Sequence, residues 1–457
     1  MLTDRPVRVA VVGAGPAGIF LADSLLKSGK ADFSIDVIER LPAPYGLVRY
    51  GVAPDHHKMK TVINTFHKTL DDPRVRFIGN VAFGTNVDVA DLRRHYDAVV
   101  YTVGASADRR LNVPGEDLPG NLSATEFVAW YNGHPDHVTR DLRLDATAVA
   151  VVGMGNVAVD VTRILAKHVD ELRHTDIPGP VLEVLARSRV TDIYMLGRRG
   201  PAQAKFTTKE LRELGDLPNA DVIVHPEEIE LDERSARTVA ASAVLQRNME
   251  ALRGFADRAP EGRPRRIHLR FLSSPARIAG SAHVESLELE KNALDERENA
   301  VGTGSFETLD VQMVLRSVGY RGVPLEGLPF DSKRHVIPNQ RGRILAETGE
   351  PLPGQYVAGW IKRGPSGIIG TNKPDAAETA GVLIEDLERL PPAPEPEPAS
   401  FDRLLEARGV PVVDWKHWLE IDAHEIALGT GDGRTRVKLT AFDEFLRTAR
   451  AIASGSV

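Results

Sequence analysis

Two short runs of apolar, mostly β-branched residues are each followed by a glycine pattern and then by a stretch with helical spacing. The first is VRVAVV followed by GAGPAG, residues 7–18, and the second is AVAVV followed by GMGNVA, residues 148–158. An apolar strand that leads through closely spaced glycines into a helix is the opening unit of a Rossmann fold. The pattern therefore predicts an α/β protein with two Rossmann-like dinucleotide-binding domains.

Two further strands end in glycine and bracket the second glycine pattern. They are AVVYTVG at 98–104 and VQMVLRSVG at 311–319, and such strands can carry the chain out of one domain and back into it. We predict a discontinuous first domain, residues 1–105 and 318–457, with an inserted second domain, residues 106–317. Within the first domain, PPAPEPEP at 391–398 indicates a stiff exposed spacer. The aromatic residues beyond it, including Trp415 and Trp418, predict an ordered tail packed on the same domain.

Composition limits the chemistry that this chain can perform. The 457 residues are 42% hydrophobic and 26% charged, the usual mixture of a soluble globular protein. There is no cysteine, which excludes a disulfide framework, a redox-active thiol pair and an iron–sulfur cluster on cysteine ligands. Electron transfer by this chain would therefore need a bound organic cofactor.

Charge and hydropathy limit the partners and the location. The net charge of −7 provides no overall attraction for nucleic acid or anionic lipid. The polar N-terminus does not resemble a secretory signal, and no stretch approaches 18 apolar residues. The sequence predicts a cytoplasmic protein that binds neither nucleic acid nor membrane.

The first glycine pattern is followed by a strand that ends in an acid. The strand SIDVIE, residues 34–39, places Glu39 21 residues after Gly18, where a carboxylate can accept hydrogen bonds from the ribose hydroxyls of an adenine nucleotide. The pyrophosphate would lie over the amides from Gly15 to Ala17, at the positive end of the helix dipole. The alternative is an ordinary surface glutamate at the end of a strand.

The second glycine pattern is followed by a strand that ends in two arginines. TDIYMLGRR, residues 191–199, has Arg198 and Arg199 where the first unit has an acid. Two guanidinium groups fit a 2′-phosphate and predict a preference for NADP(H), although both can also be solvated surface residues.

The glycine-rich segment KRGPSGIIGTN, residues 362–372, precedes a helix. Its backbone amides can donate hydrogen bonds to the pyrimidine edge of a flavin, which would make the first site suitable for FAD. The alternative is that the segment is only a glycine turn before a helix.

Taken together and in this order, five motifs resemble the adrenodoxin-reductase type of ferredoxin–NADP reductase, and its bacterial members most closely. They are GAGPAG at 13–18, PYGLVRYGVAPDH at 44–56, GMGNVAVD at 153–160, GRRGP at 197–201 and GWIKRGPSG at 359–367. The resemblance covers essentially the whole chain. It implies a monomeric FAD enzyme that takes a hydride from NADPH and passes electrons one at a time to a ferredoxin-type iron–sulfur protein, with the NADP domain inserted in the FAD domain.

The resemblance also implies the site residues, position by position. With the glycine-pattern residues, the implied FAD contacts are Gly13, Ala14, Gly15, Ala17, Gly18, Glu39, Leu47, Ala82, Trp360, Gly367, Ile368 and Ile369. The implied NADP contacts are Arg109, Gly155, Asn156, Val157, Arg198, Arg199, Glu210 and again Gly367. The resemblance places His56 and Asp160 near the flavin, where they can tune catalysis. Glu213, three residues after Glu210, is a further catalytic candidate.

Other functions share some of these features. A flavoprotein monooxygenase also uses FAD and NADPH. A glutamate-synthase-like small subunit has the same double Rossmann layout but normally adds cysteine clusters. A redox sensor would bind NADPH without turnover.

Two locally basic segments, residues 198–213 and 258–277, predict that the partner is an acidic electron carrier bound mainly by the inserted domain. Arg265 and Arg266 are predicted to lie at that docking surface.

Overall fold

The computed structural model describes residues 5–142 and 144–453. The chain divides into two compact units, each with its own sheet. The first unit is formed by the residues up to Ala107 and from Tyr320 onwards, and the second by Asp108–Gly319. Short strands, Ala107–Asp108 and Tyr320–Arg321, lie where the chain passes from one unit to the other and back.

Five parallel strands form the centre of an eight-stranded sheet in the first unit. Across the sheet they follow the order Pro351–Val357, Ala98–Tyr101, Val7–Val12, Phe33–Glu39 and Val75–Gly79. Arg343–Leu345 and then Asn339–Gln340 extend one edge, and Val413–Asp414 extends the other, all with antiparallel pairing. Every residue of Val7–Val12 is buried, which is why this strand has a continuous apolar sequence.

Helices pack around this sheet and place the glycine patterns at strand ends. Alternate residues of Val7–Val12 enter two separate apolar clusters, one on each face of the sheet. The helices of the first unit are Pro16–Ser28, Leu47–Tyr50, His57–Lys60, Ile63–Leu70, Val89–His95, Trp360–Arg363, Asn372–Glu385, Pro398–Ala407, Trp415–Thr430 and Phe442–Ala453, with 3₁₀ turns Ile369–Thr371 and Leu387–Arg389. Pro16–Ser28 packs against Asn372–Glu385.

The second unit repeats the plan with a six-stranded parallel sheet. Its strand order is Asn121–Ser123, Met313–Arg316, Ala148–Val152, Asp192–Leu196, Arg265–Arg270 and Ala220–Val224. Ser273–Ala279, Ser286–Leu294 and Ala300–Leu309 form a separate antiparallel sheet. The helices are Ala124–Tyr131, Asn156–Ala166, Val169–Leu172, Gly179–Ala186, Thr208–Gly215, Glu233–Ala240 and Ala243–Ala256, with 3₁₀ turns Pro201–Gln203 and Pro226–Glu228. The predicted α/β class with two Rossmann-like units is confirmed.

The proline-rich segment differs from the exposed spacer that its composition predicts. Ala393 is buried, and its amide donates a 2.8 Å hydrogen bond to the carboxylate of Asp97. Glu395 pairs with Arg94 at 2.6 Å, and its amide bonds the Arg94 carbonyl. The prolines prevent a helix or a central strand, but the amides of the residues between them can still donate hydrogen bonds. These hydrogen bonds anchor the segment to the first unit.

Among residues 5–142 and 144–453, no helix is both long and apolar enough to cross a lipid bilayer.

Candidate functional site

In the first glycine loop, residues 13–18, each glycine has a different physical role. Gly13 has a φ of +113°, and a Cβ there would lie 2.9 Å from the carbonyl oxygen of Thr102. A Cβ on Gly18 would lie 2.1 Å from the Gly13 carbonyl oxygen, so this glycine permits the close packing of helix and strand. Apart from Gly15 and its two chain neighbours, no atom of the described residues lies within 4 Å of the position of a Cβ on Gly15. The open space above Gly15 fits a pyrophosphate that approaches the backbone.

Glu39 ends its strand beside this loop and binds it directly. Its carboxylate accepts hydrogen bonds from the amide of Ala14 at 2.8 Å and from the amide of Leu41 at 3.1 Å. Burial raises the pKa of Glu39, and these two amide bonds oppose that rise. A carboxylate has about four acceptor positions, so the two amides leave room for ribose hydroxyls. The next predicted contact, Ala82, follows Val81, whose amide donates to the Glu39 carbonyl at 2.9 Å.

The C-terminal half of the first unit reaches the same loop. Gly359 has a φ of +77°, and a Cβ there would lie 2.7 Å from the Cβ of Ala17. Trp360 follows in the helix Trp360–Arg363, and its indole donates to the Ser366 carbonyl at 3.2 Å. The segment then passes through Gly367, with a φ of +82°, to Ile368 and Ile369.

Two apolar side chains of the predicted FAD site are unusually exposed. Ile368 exposes 68% of its surface and Leu47 exposes 40%. Covering such apolar area is favourable, and the flat ring system of a flavin can supply that cover. With the open Gly15 position, these residues fit FAD.

The second glycine loop, residues 153–158, is built in the same way. Gly153 has a φ of +146°, and a Cβ there would lie 2.3 Å from the Ser317 carbonyl oxygen. A Cβ on Gly155 would have no atom within 4 Å in the described part of the chain, apart from Gly155 and its two chain neighbours. Asn156 and Val157 begin the helix Asn156–Ala166, and the Asn156 side chain accepts from the Thr207 amide at 2.9 Å. The backbone above Gly155 is therefore open to a second pyrophosphate.

Arg198 and Arg199 follow the strand Asp192–Leu196, and hydrogen bonds hold their backbone carbonyls in place. The Arg198 carbonyl accepts from Asn292 at 2.8 Å, and the Arg199 carbonyl accepts from the Leu272 amide at 3.2 Å. Within the part of the chain that the structure describes, neither guanidinium makes a hydrogen bond or an ion pair, and the same holds for Arg109. Three such groups remain available to an anion such as a phosphate.

Comparison with known proteins agrees with this geometry. The pyridine nucleotide-disulphide oxidoreductase family matches residues 7–215. The NADPH-ferredoxin reductase FprA of Mycobacterium tuberculosis is 46% identical over 97% of this chain and 99% of its own length. Human mitochondrial NADPH:adrenodoxin oxidoreductase is 41% identical over 97% of this chain and 92% of its own length. A solved structure of M. tuberculosis FprA in complex with NADPH covers 98% of this chain and 100% of that chain, with a TM-score of 0.92 and 46% identity.

This chain belongs to the adrenodoxin-reductase-type family of NADPH–ferredoxin reductases. The resemblance seen in the sequence motifs is confirmed. This reductase contains no cysteine, so the disulphide in the name of the broader family has no counterpart in its chemistry.

Three predicted site residues of the reductase meet at one arginine in the second unit. The side chain of Arg163, which is 2% exposed, lies 2.8 Å from Asp160, 3.2 Å from Glu213 and 4.0 Å from Glu210. Burial raises the pKa of Glu210, and Glu213 raises it further, while Arg163 opposes both. None of the sequence motifs points to Arg163, although its spacing of three residues from Asp160 places both on one helix face.

The remaining catalytic candidate, His56, belongs to the first unit of the reductase. It is buried and immediately precedes the helix His57–Lys60. Its amide donates to the Ala53 carbonyl at 3.0 Å, so the local backbone is fixed by a turn.

Three of the six arginines of the basic segment 258–277 form ion pairs within the second unit, and two more bind backbone carbonyls. Arg270 is buried between Glu228 at 2.7 Å and Glu307 at 2.6 Å. The other pairs are Arg263 with Glu261, Arg266 with Asp192, Arg265 with the Leu165 carbonyl, and Arg258 with the Gly215 carbonyl. Among the described residues only Arg277 of these six has no such partner. Arg266 is therefore paired with a carboxylate and Arg265 is held by a backbone carbonyl, and the docking surface at these two arginines stays a prediction.

Proposed function

We infer that this protein is an FAD-containing reductase that takes a hydride from NADPH and passes electrons one at a time to a ferredoxin-type iron–sulfur protein. The observation that carries this function is the contrast between the two glycine loops. One is followed by Glu39, which suits ribose. The other is followed by Arg198 and Arg199, whose guanidinium groups have no partner among residues 5–142 and 144–453 and suit a 2′-phosphate. When bound, FAD supplies the conversion of a two-electron hydride into single electrons.

The protein's own contribution is to bind and orient these molecules. We propose that the first unit is the FAD domain and the second the NADP domain, with Gly15 and Gly155 giving the two pyrophosphates access to backbone amides. No general base is needed for hydride transfer. His56, Asp160 and Glu213 are then groups that tune the site, and Arg163 fixes the orientation of the last two. We also propose that the protein acts as a monomer.

We expect the purified protein to be yellow and to contain one FAD per chain. The open Gly15 backbone, Glu39 and the exposed Ile368 all fit this cofactor. Absorbance of the holoenzyme and chromatography of the released flavin measure both quantity and identity. Release of FMN, or failure to bind FAD on reconstitution, would contradict the assignment of the first site.

The function is tested by NADPH-dependent reduction of cytochrome c through a panel of purified ferredoxins. The same protein is assayed with ferricyanide, which accepts electrons without a specific docking surface. We expect turnover with both. Turnover with ferricyanide but with none of the ferredoxins would contradict the partner class, and no turnover with either would favour a redox sensor.

We also propose that the carrier is acidic, because some exposed cations of the second unit have no partner among the described residues. Arg277 is one of them, whereas Arg266 is already paired with Asp192. Raising salt should slow ferredoxin reduction and leave dye reduction nearly unchanged.

We expect Arg277→Ala to lower kcat/KM for ferredoxin by about two- to threefold at low salt, with Arg266→Ala as the matched control. Stopped-flow measurements at several ionic strengths compare the two variants. If both variants have the same kcat/KM for ferredoxin and neither value changes with ionic strength, an acidic partner does not bind at this face.

A further inference from the structure

The segment of residues 45–51, called here the tyrosine segment, lies directly on the first glycine loop. The amide of Tyr45 donates to the carbonyl of Ala14 at 2.8 Å. A Cβ on Gly46 would lie 3.1 Å from the Cα of Gly15. The same segment carries Leu47, one of the residues assigned to FAD. Its position therefore determines part of the shape of the FAD site.

The backbone of this segment has a conformation that its own sequence does not favour. Tyr45 has a φ of +82°, a region that bulky side chains rarely occupy. Such a residue persists only where the surrounding structure holds it in place. The Ala14 bond fixes the backbone of Tyr45, and its side chain must be fixed by another part of the chain.

That part is residues 398–453, called here the tail. The indole of Trp418 donates a hydrogen bond to the Tyr45 hydroxyl at 3.2 Å. The two rings lie edge to face, with their centroids 5.9 Å apart. The ammonium of Lys438 donates to the Arg49 carbonyl at 3.1 Å. Trp418 and Lys438 are both buried. Side chains of the tail thus contact both a side chain and the backbone of the tyrosine segment.

The tail and the tyrosine segment also share a buried ion pair, between Arg49 and Glu425. Two guanidinium nitrogens of Arg49 donate to the two carboxylate oxygens of Glu425 at 2.9 and 2.5 Å. The side chains are 3% and 0% exposed. Glu425 also accepts from the Leu439 amide at 2.8 Å and from Arg436 at 3.2 Å. One carboxylate therefore joins the helix Trp415–Thr430, the chain that follows it and the tyrosine segment.

We propose that the tail is a clamp that retains FAD, and that Glu425 is its positioning residue. Glu425 holds Arg49, and with it the tyrosine segment, against the first glycine loop without itself contacting the cofactor. Removing one partner of a buried ion pair leaves an uncompensated charge, so loss of the Glu425 charge should displace the segment. The proposal rests on the FAD site inferred above.

The test is the rate of FAD release from the holoenzyme of Glu425→Gln. We expect release about tenfold faster than in the natural protein, because the neutral amide leaves buried Arg49 without its charge partner. The rise in flavin fluorescence on release measures the rate. Added FAD should restore kcat, and the KM for NADPH should be unchanged.

Asp402→Asn is the matched control, because Asp402 also joins the tail to the body of the first unit by an ion pair. It binds Arg76 through two contacts of 3.0 Å, but Arg76 lies on the strand Val75–Gly79 and not in the tyrosine segment. We expect FAD release from this variant to stay within about twofold of the natural protein, as for a partly exposed pair.

If Glu425→Gln does not fold, Trp418→Phe removes the bond to Tyr45 while it keeps an aromatic ring. It should speed FAD release about threefold, since one hydrogen bond is lost. Unchanged release in the Trp418 and Glu425 variants that fold, or equal acceleration by Asp402→Asn, would overturn the clamp. Failure of the FAD assignment itself is distinguishable, because the unaltered protein would then retain no FAD.

Discussion

We expect the double variant Arg198→Ala/Arg199→Ala to raise the KM for NADPH about 100-fold, while the KM for NADH stays within about twofold. Each guanidinium can make charge-assisted hydrogen bonds worth about 1.5–3 kcal/mol to a 2′-phosphate. Both side chains lack competing partners among the described residues, so that energy is available to the nucleotide. NADH carries no 2′-phosphate, so the substitutions remove no such hydrogen bonds from it.

Steady-state kinetics with ferricyanide as acceptor measures both cofactors without involving ferredoxin. Arg266→Ala is the control, because it removes a positive charge of the same unit that Asp192 already neutralises. It should leave both KM values unchanged. An equal rise for NADPH and NADH in the double variant would show that these arginines do not recognise the phosphate.

The second large effect is expected at Glu39. Glu39→Ala should weaken FAD binding by about 10- to 150-fold, because loss of a charged hydrogen-bond acceptor costs about 1.5–3 kcal/mol. The substitution also leaves the amides of Ala14 and Leu41 without their acceptor, which disturbs the glycine loop itself. Glu39→Gln keeps one acceptor oxygen but turns an amide nitrogen toward one of the two donors, so we expect an intermediate effect.

Titration of the apoprotein with FAD, followed by quenching of flavin fluorescence, gives both dissociation constants. Thermal unfolding of the two apoproteins controls for a general loss of stability. If Glu39→Ala binds FAD as tightly as the unaltered protein, the carboxylate does not accept from the ribose, and Glu39 only supports the loop.

The glycine loops and the strands around them were predictable because their signals are local. Apolar runs such as residues 7–12 and 148–152 match the strands residue for residue, since a buried parallel strand needs a continuous apolar sequence. The helical spacing after the second glycine pattern does not show where the helix ends. The helix ends at Ala166, because Lys167 and His168 have extended backbones, and a new helix starts at Val169.

The contacts that could not be predicted join residues far apart in the sequence. A run of arginines indicates positive charge, but it does not show that Arg270 reaches Glu228 and Glu307 on other elements. In the same way, nothing local connects Arg49 with Glu425, 376 positions later. Ion pairing depends on the tertiary fold, so charge patterns do not show which arginines are already paired, whereas apolar patterns predict the buried strands.

The discontinuous first unit constrains the order in which the protein can fold during its synthesis. Residues 108–319 are contiguous, so the second unit is complete when its last strand leaves the ribosome. The strand Ala98–Tyr101 must wait for its neighbour Pro351–Val357, more than 200 residues later. Domains generally fold as units as the chain emerges, and loop closure over such a distance is slow. The nascent chain can therefore complete the second unit before the first. On the proposed assignment of FAD to the first unit, flavin loading follows the folding of the second unit.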